Sequence, residues 1–166
     1  IANRGEIAAR IAQTAKKMGI HCVAVFSKCD QSAFHVKSCD QAIEINDYLN
    51  GALIIEAAIS TKVEAIHPGY GFLSENADFA CAVQKAGLIF IGPPVAAIET
   101  MGSKVKARRL MEISGVPIVP GYNGKKQDYK TLYNSARNIG YPVLIKPSAG
   151  GGGRGLQIVQ RPQDLE

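Results

Sequence analysis

Apolar residues in this chain follow two rhythms, short continuous runs and stripes at helical spacing, and the two alternate over roughly the first hundred positions. Ile1-Ala2 reads as the tail of a strand. Asn3-Arg4-Gly5-Glu6 then predicts a helix start, with Asn and Glu three apart in the manner of a capping box. Ile7, Ile11, Ala15 and Met18 recur on one helical face, and Gly19 ends that helix. Residues 21–26 read as a buried strand, 42–45 as a shorter one, and 49–60 as a helix striped by Leu53, Ile54, Ala57 and Ala58. A strand at 65–66, a helix over 77–86 and a strand at 88–91 complete the series. Strand, helix, strand is the unit of a parallel sheet, so the pattern predicts an α/β fold with an open, Rossmann-like sheet whose ligands lie beyond the strand C-termini.

Two more helices are expected at 95–101 and 104–114, parted by Gly102-Ser103 with Ser103 as the cap. Proline and glycine from Gly115-Val116-Pro117 to Pro120-Gly121 mark a boundary, which divides the chain into domains 1–115 and 116–166. Beyond it come a helix over 128–138, strands at 143–145 and 156–159, and a further helix opening at Arg161. One helix, two strands and an interrupted helix do not close a core, so the second domain is expected to be incomplete in these residues.

Composition adds limits. With 166 residues and 46% hydrophobic content the chain can bury a core. No apolar stretch approaches a membrane span and no secretory pattern opens the sequence, so no membrane association is expected. The net charge of +5 is uneven: residues 1–100 carry 8 Lys/Arg against 10 Asp/Glu, and 101–166 carry 11 against 4. A basic second part suits a nucleoside triphosphate. Its basic residues are not interleaved with aromatics, which argues against nucleic acid. Cys22, Cys29, Cys39 and Cys81 lack zinc-site spacing and read as unpaired thiols in a reducing compartment.

The densest chemistry lies at Lys146-Pro147-Ser148-Ala149-Gly150-Gly151-Gly152-Gly153-Arg154-Gly155, between the last two strands. Glycines there permit torsions and close approaches that let backbone N–H groups turn toward a polyphosphate, and Lys146 and Arg154 flank them with charge. The plainer reading is a flexible turn. Neither a Rossmann Gly-x-Gly-x-x-Gly after the first strand nor the Lys-Ser/Thr of a P-loop is present. His67-Pro68-Gly69-Tyr70-Gly71-Phe72-Leu73-Ser74-Glu75-Asn76 runs from a strand end to a helix start, where an open sheet displays functional side chains; the plainer reading is a tight turn with packed aromatics. Lys104, in the first turn after Ser103, is within reach of a phosphate or simply solvated. His21 and His35 read as structural.

Four segments in register resemble the biotin carboxylase family: residues 1–8, 67–76, Phe90-Ile91-Gly92-Pro93, and 140–155. The resemblance spans essentially the whole chain and implies an N-terminal (pre-ATP-grasp) domain followed by the start of an ATP-grasp domain. The implied chemistry is ATP-dependent activation of bicarbonate as carboxyphosphate, and transfer of the carboxyl group to N1′ of biotin on a carrier domain. Such enzymes serve acyl-CoA or pyruvate carboxylases. By motif, Lys104 and Lys146 would contact ATP phosphates, and Gly150, Gly151, Gly152, Gly153, Arg154 and Gly155 would form a lid over them. Tyr70 and Gly71 would lie near the biotin ureido ring, with Glu75 in the same cleft, Tyr70 and Glu75 being the candidate catalytic residues.

The resemblance also implies a carboxyltransferase partner, a homodimer through the N-terminal domain with Arg10 at its interface, and a cytoplasmic or mitochondrial-matrix location. Ligands for Mg2+ and the general base are expected beyond Glu166, so these 166 residues alone are expected to be inactive. Departures from the family are Met-Gly-Ser-Lys at 101–104 in place of Met-Gly-Asp-Lys, a connection between Ile45 and Tyr48 shorter by about a half-dozen residues in a variable loop, and a slightly shorter glycine loop. These, with the half strand at the start, suggest a piece of a longer chain. Two other functions remain open: another ATP-grasp ligase such as a carbamoyl-phosphate synthetase half, and a non-catalytic nucleotide-binding or dimerisation module.

Overall fold

Two parallel ladders carry the first part of the chain: β1 (Val23–Phe26) pairs with β2 (Gln41–Glu44), and β3 (Ala65–Ile66) pairs with β4 (Ile89–Phe90). These are seen in a computed structural model that describes residues 1–147 and 155–165. The opening dipeptide links the ladders. Ile1 N donates to Val23 O (2.7 Å) and Ala2 N donates to His67 O (2.8 Å), so the chain start runs between β1 and the end of β3. Helices α1 (Gly5–Lys17), α2 (Phe34–Ser38), α3 (Gly51–Ser60) and α4 (Ala77–Lys85) connect these strands, with a 3-10 turn at Lys28–Asp30. The α/β parallel architecture read from the sequence is the one observed.

A unit spanning Ile1–Glu99 holds the main core, with Ala2, Val25, Ile45, Ile54, Ala58, Ile66, Phe79, Val83 and Phe90 among its buried residues. Each large apolar side chain removed from water there contributes about 1.5–3 kcal/mol. Helices α3 and α4 begin where polar side chains keep the first free N–H groups from going unpaired. Asn50 Oδ1 accepts from Ala52 N and Leu53 N at the start of α3, and Asn76 Oδ1 accepts from Phe79 N at the start of α4. Gly51 lets α3 lie against α4, since a Cβ at this position would stand 2.7 Å from the Phe79 ring.

The expected capping box at Asn3 and Glu6 does not form. α1 starts at Gly5 with Arg4 as its N-cap and no side-chain cap, because Asn3 is committed to a distant loop. The brief α2 and the 3-10 turn, which the polar spacing of residues 28–38 did not reveal, lie between β1 and β2. His35 of α2 is fully buried with Nε2 3.3 Å from Val25 O, whereas His21 is exposed beside Asp40. The short connection after β2 closes as a turn: Leu49 N donates to Asp47 Oδ1 (2.8 Å), and Tyr48 is buried.

The second unit, Thr100–Glu166, is distinct. α5 (Val95–Gly102) leads into α6 (Lys104–Ile113), where Ser103 Oγ accepts from Lys106 N. α7 (Tyr129–Ile139) is capped by Asp128, which accepts from Thr131 N and Oγ1. The two strands expected here, β5 (Val143–Ile145) and β6 (Gln157–Val159), pair antiparallel, with Ile145 opposite Gln157. The final segment is a 3-10 turn, Pro162–Leu165, where an α-helix was expected.

Candidate functional site

Residues 67–76 leave the end of β3 and reach the Asn76 cap of α4, so their side chains stand at the C-terminal edge of the parallel strands. Three peculiarities shape this loop: Gly69, Gly71 and Phe72 all have positive φ, at 68°, 65° and 44°. Phenylalanine rarely adopts that region, so surrounding contacts must hold it there. Ser74 N donates to Gly71 O and Asn76 N to Leu73 O, and Leu73 is buried in the core.

Asn3 supplies the first of those contacts. Its Nδ2 donates to Pro68 O and to Tyr70 O, both at 2.8 Å, and its Oδ1 accepts from Arg4 N at 2.9 Å. A Cβ on Gly69 would lie 2.7 Å from Asn3 Nδ2, so only glycine lets the loop wrap this carboxamide. Tyr70, 61% exposed, donates its hydroxyl to Glu6 on α1. That bond, burial and the Glu6 charge push the Tyr70 phenol above its ordinary range. Gly71 and Glu75 are exposed on the same loop. His67 Nδ1 accepts from Gly69 N, and burial, reinforced by the positive charge of Arg10, lowers the His67 pKa.

A second contact comes from an aromatic stack. Phe72 lies on Tyr48, ring centroids 5.4 Å apart, and the Arg4 guanidinium sits over the Tyr48 ring at 5.6 Å. Tyr48 donates its hydroxyl to Asp30 Oδ2 (2.8 Å) and accepts from Ser27 N (3.1 Å), while Arg4 Nη1 donates to the same Asp30 oxygen (3.0 Å). The Tyr48 hydrogen bond first, then those from Arg4 and Ser27, hold Asp30 below the usual carboxylate range. Burial and the Asp30 carboxylate raise the Tyr48 phenol. Residues 1–6, 27–30, 48 and 67–76 thus make one rim in the first unit.

Asn3, Glu6, Arg4, Asp30 and Tyr48 escaped the sequence reading. The one available signal was that Asn3 and Glu6 belong to a motif whose neighbours are otherwise unremarkable helix formers. In the second unit, Lys104 is exposed in the first turn of α6, and Lys146 is exposed directly after β5. Gly155 stands before β6 with φ 73°, and a Cβ there would lie 3.3 Å from Pro147, so the two ends of the glycine loop approach closely. Gly150, Gly151, Gly152, Gly153 and Arg154 lie outside the described residues. Among the described residues no group of three or more His, Cys, Asp or Glu side chains converges as a metal site.

Residues 1–98 match the family model described as "Biotin carboxylase, N-terminal domain", and residues 103–166 match "Carbamoyl-phosphate synthase L chain, ATP binding domain". The chain is 53% identical over 171 residues to the mitochondrial methylcrotonoyl-CoA carboxylase subunit alpha of Oryza sativa subsp. japonica, covering 99% of this chain and 23% of that protein. It is 47% identical to the biotin carboxylase of Halalkalibacterium halodurans, covering 99% of this chain and 38% of that one. A crystal structure of a biotin carboxylase complex with β,γ-ATP from Campylobacter jejuni aligns with a TM-score of 0.93 at 44% identity, over 99% of this chain and 38% of that one. The biotin carboxylase domain dimer of Hydrogenobacter thermophilus 2-oxoglutarate carboxylase, with MgADP, ADP and bicarbonate, aligns at 0.91 and 45%, over 99% of this chain and 37% of that one. The chain therefore spans about a quarter of the methylcrotonoyl-CoA carboxylase subunits it matches.

Proposed function

The chain belongs to the biotin carboxylase family, and from that premise we propose that it is the N-terminal part of an enzyme that uses ATP and bicarbonate to carboxylate biotin on a carrier domain. The observation that carries this reading is the joining of two family-like motifs far apart in sequence. Residues 1–8 and 67–76 meet through Asn3 to Pro68 and Tyr70, and through Tyr70 to Glu6, at the strand edge where open α/β sheets receive ligands.

In this reading Tyr70, Gly71 and Glu75 border the biotin ureido ring. Lys104 and Lys146 bring point charges to ATP phosphates. Gly150 to Gly153, Arg154 and Gly155 close over the nucleotide, and closure excludes water from a phosphorylated intermediate that would otherwise hydrolyse. Partners are the biotin carrier domain, a carboxyltransferase that hands the carboxyl group to an acyl-CoA or to pyruvate, and a second copy through the N-terminal unit. The compartment is cytoplasm or mitochondrial matrix. No helix among the described residues is long and apolar enough to cross a membrane.

The test is bicarbonate-dependent ATP hydrolysis by the full-length protein, with and without free biotin. Biotin is expected to stimulate it, and Lys146→Ala to raise the KM for ATP by about tenfold, the scale of one charge-assisted contact. An enzyme indifferent to biotin would instead fit a different ATP-grasp ligase, and the reading would be lost.

A further inference from the structure

The Tyr70–Gly71 peptide is the part of the rim whose orientation local sequence leaves most open. Glycines at positive φ at 69 and 71 place few local steric limits on its direction, which contacts from outside the loop fix. Asn3 makes that choice. The side chain is only 3% exposed, and both its N–H donors and its oxygen are engaged: two donations to the carbonyls on either side of Gly69, one acceptance from Arg4 N. A peptide is planar and trans, so pinning Tyr70 O toward Asn3 turns the Gly71 N–H the opposite way, out of the protein.

We infer that Asn3 is a positioning residue for the carboxylation reaction, aiming the Gly71 amide and the Tyr70 ring at the biotin ureido group. The inference rests on the function proposed above and adds to it a residue that touches neither ATP nor biotin. Without it the buried Pro68 carbonyl would be left unpaired and the part-buried Tyr70 carbonyl would lose its protein partner, and an unpaired buried polar group costs more than a hydrogen bond contributes. The loop would rotate rather than keep both carbonyls facing an empty space. Gly69, closed over the carboxamide, couples that rotation to the Asn3 side chain.

Two substitutions in the full-length protein test this. Asn3→Asp keeps the size and the acceptor for Arg4 N, but it sets an oxygen against both carbonyls. Asn3→Ala removes all three bonds. Both are expected to raise the KM for free biotin by about tenfold, while the KM for ATP and the biotin-independent, bicarbonate-dependent ATP hydrolysis stay within about twofold. Wild-type enzyme unresponsive to biotin would overturn the functional reading and this inference together. A responsive wild type with unchanged biotin KM in both variants would overturn the inference alone. Parallel loss of biotin and ATP parameters, or failure of both variants to fold by circular dichroism, would make Asn3 a pin of the fold and equally overturn the positioning role.

Discussion

Asp30 and Tyr48 show how single residues, none of them a candidate in the sequence, support the rim. Asp30 Oδ2 takes hydrogen bonds from Tyr48, Arg4 and Ser27, and Tyr48 in turn carries Phe72. Tyr48→Phe keeps the stack and removes the hydroxyl, so it is expected to cost about 1–2 kcal/mol, measured by urea unfolding, at the modest end of bonds to a charged group because Asp30 is partly exposed. The pH dependence follows from three directions of shift. His67 has a lowered pKa, so its contribution is full above about 6.5 and is lost as pH falls through the lower folded value. Asp30, also lowered, loses its contribution further down, below about 4. Tyr48 is raised, so its contribution is lost as pH rises through a value above about 10. Stability is therefore expected to plateau between these limits. A proton NMR titration of the His67 ring should show a midpoint below 6.5, and a midpoint above it would contradict the burial argument. Ser27 lies three residues from Asp30, but the other partners of Asp30 and Tyr48 were not legible in sequence, since their separations run from 18 to 26 residues.

Among the elements, α3 and α4 were readable because each combines an Asn cap with an apolar stripe, and local physics and tertiary packing agree. Their junction is testable. Gly51→Ala should improve intrinsic helix propensity yet destabilise the chain by about 1–3 kcal/mol in thermal or urea unfolding, because the added methyl meets the Phe79 ring. A neutral or stabilising result would mean α4 yields easily. The α1 start failed as a reading for the opposite reason. Asn three before Glu is equally compatible with a capping box and with a side chain turned outward, and the carbonyls of Pro68, buried, and Tyr70, part-buried, compete successfully for the Asn3 amide. Helix α2, five residues with one buried position, has too little periodicity to announce itself.

Across the whole molecule the two units differ in how much apolar surface they bury. The large core clusters lie in residues 1–99, whereas in the second unit Ala136 and Val159 are buried and Ile113, Val119 and Ile158 are exposed, Ile113 at 86%. Hydrogen exchange on this 166-residue chain is therefore expected to protect β1 and β3 by at least about tenfold more than β5 and β6, since opening free energy tracks buried contacts. Equal protection would refute the contrast. The alternation of runs and stripes already dictated an α/β parallel architecture and the last two strands, because strand and helix periods, caps and glycines act over a few residues. Which distant side chains meet was settled only by packing: Asn3 under the Tyr70 loop, Tyr48 under Phe72. Those contacts join segments that nothing local relates, and burial alone makes their hydrogen bonds obligatory.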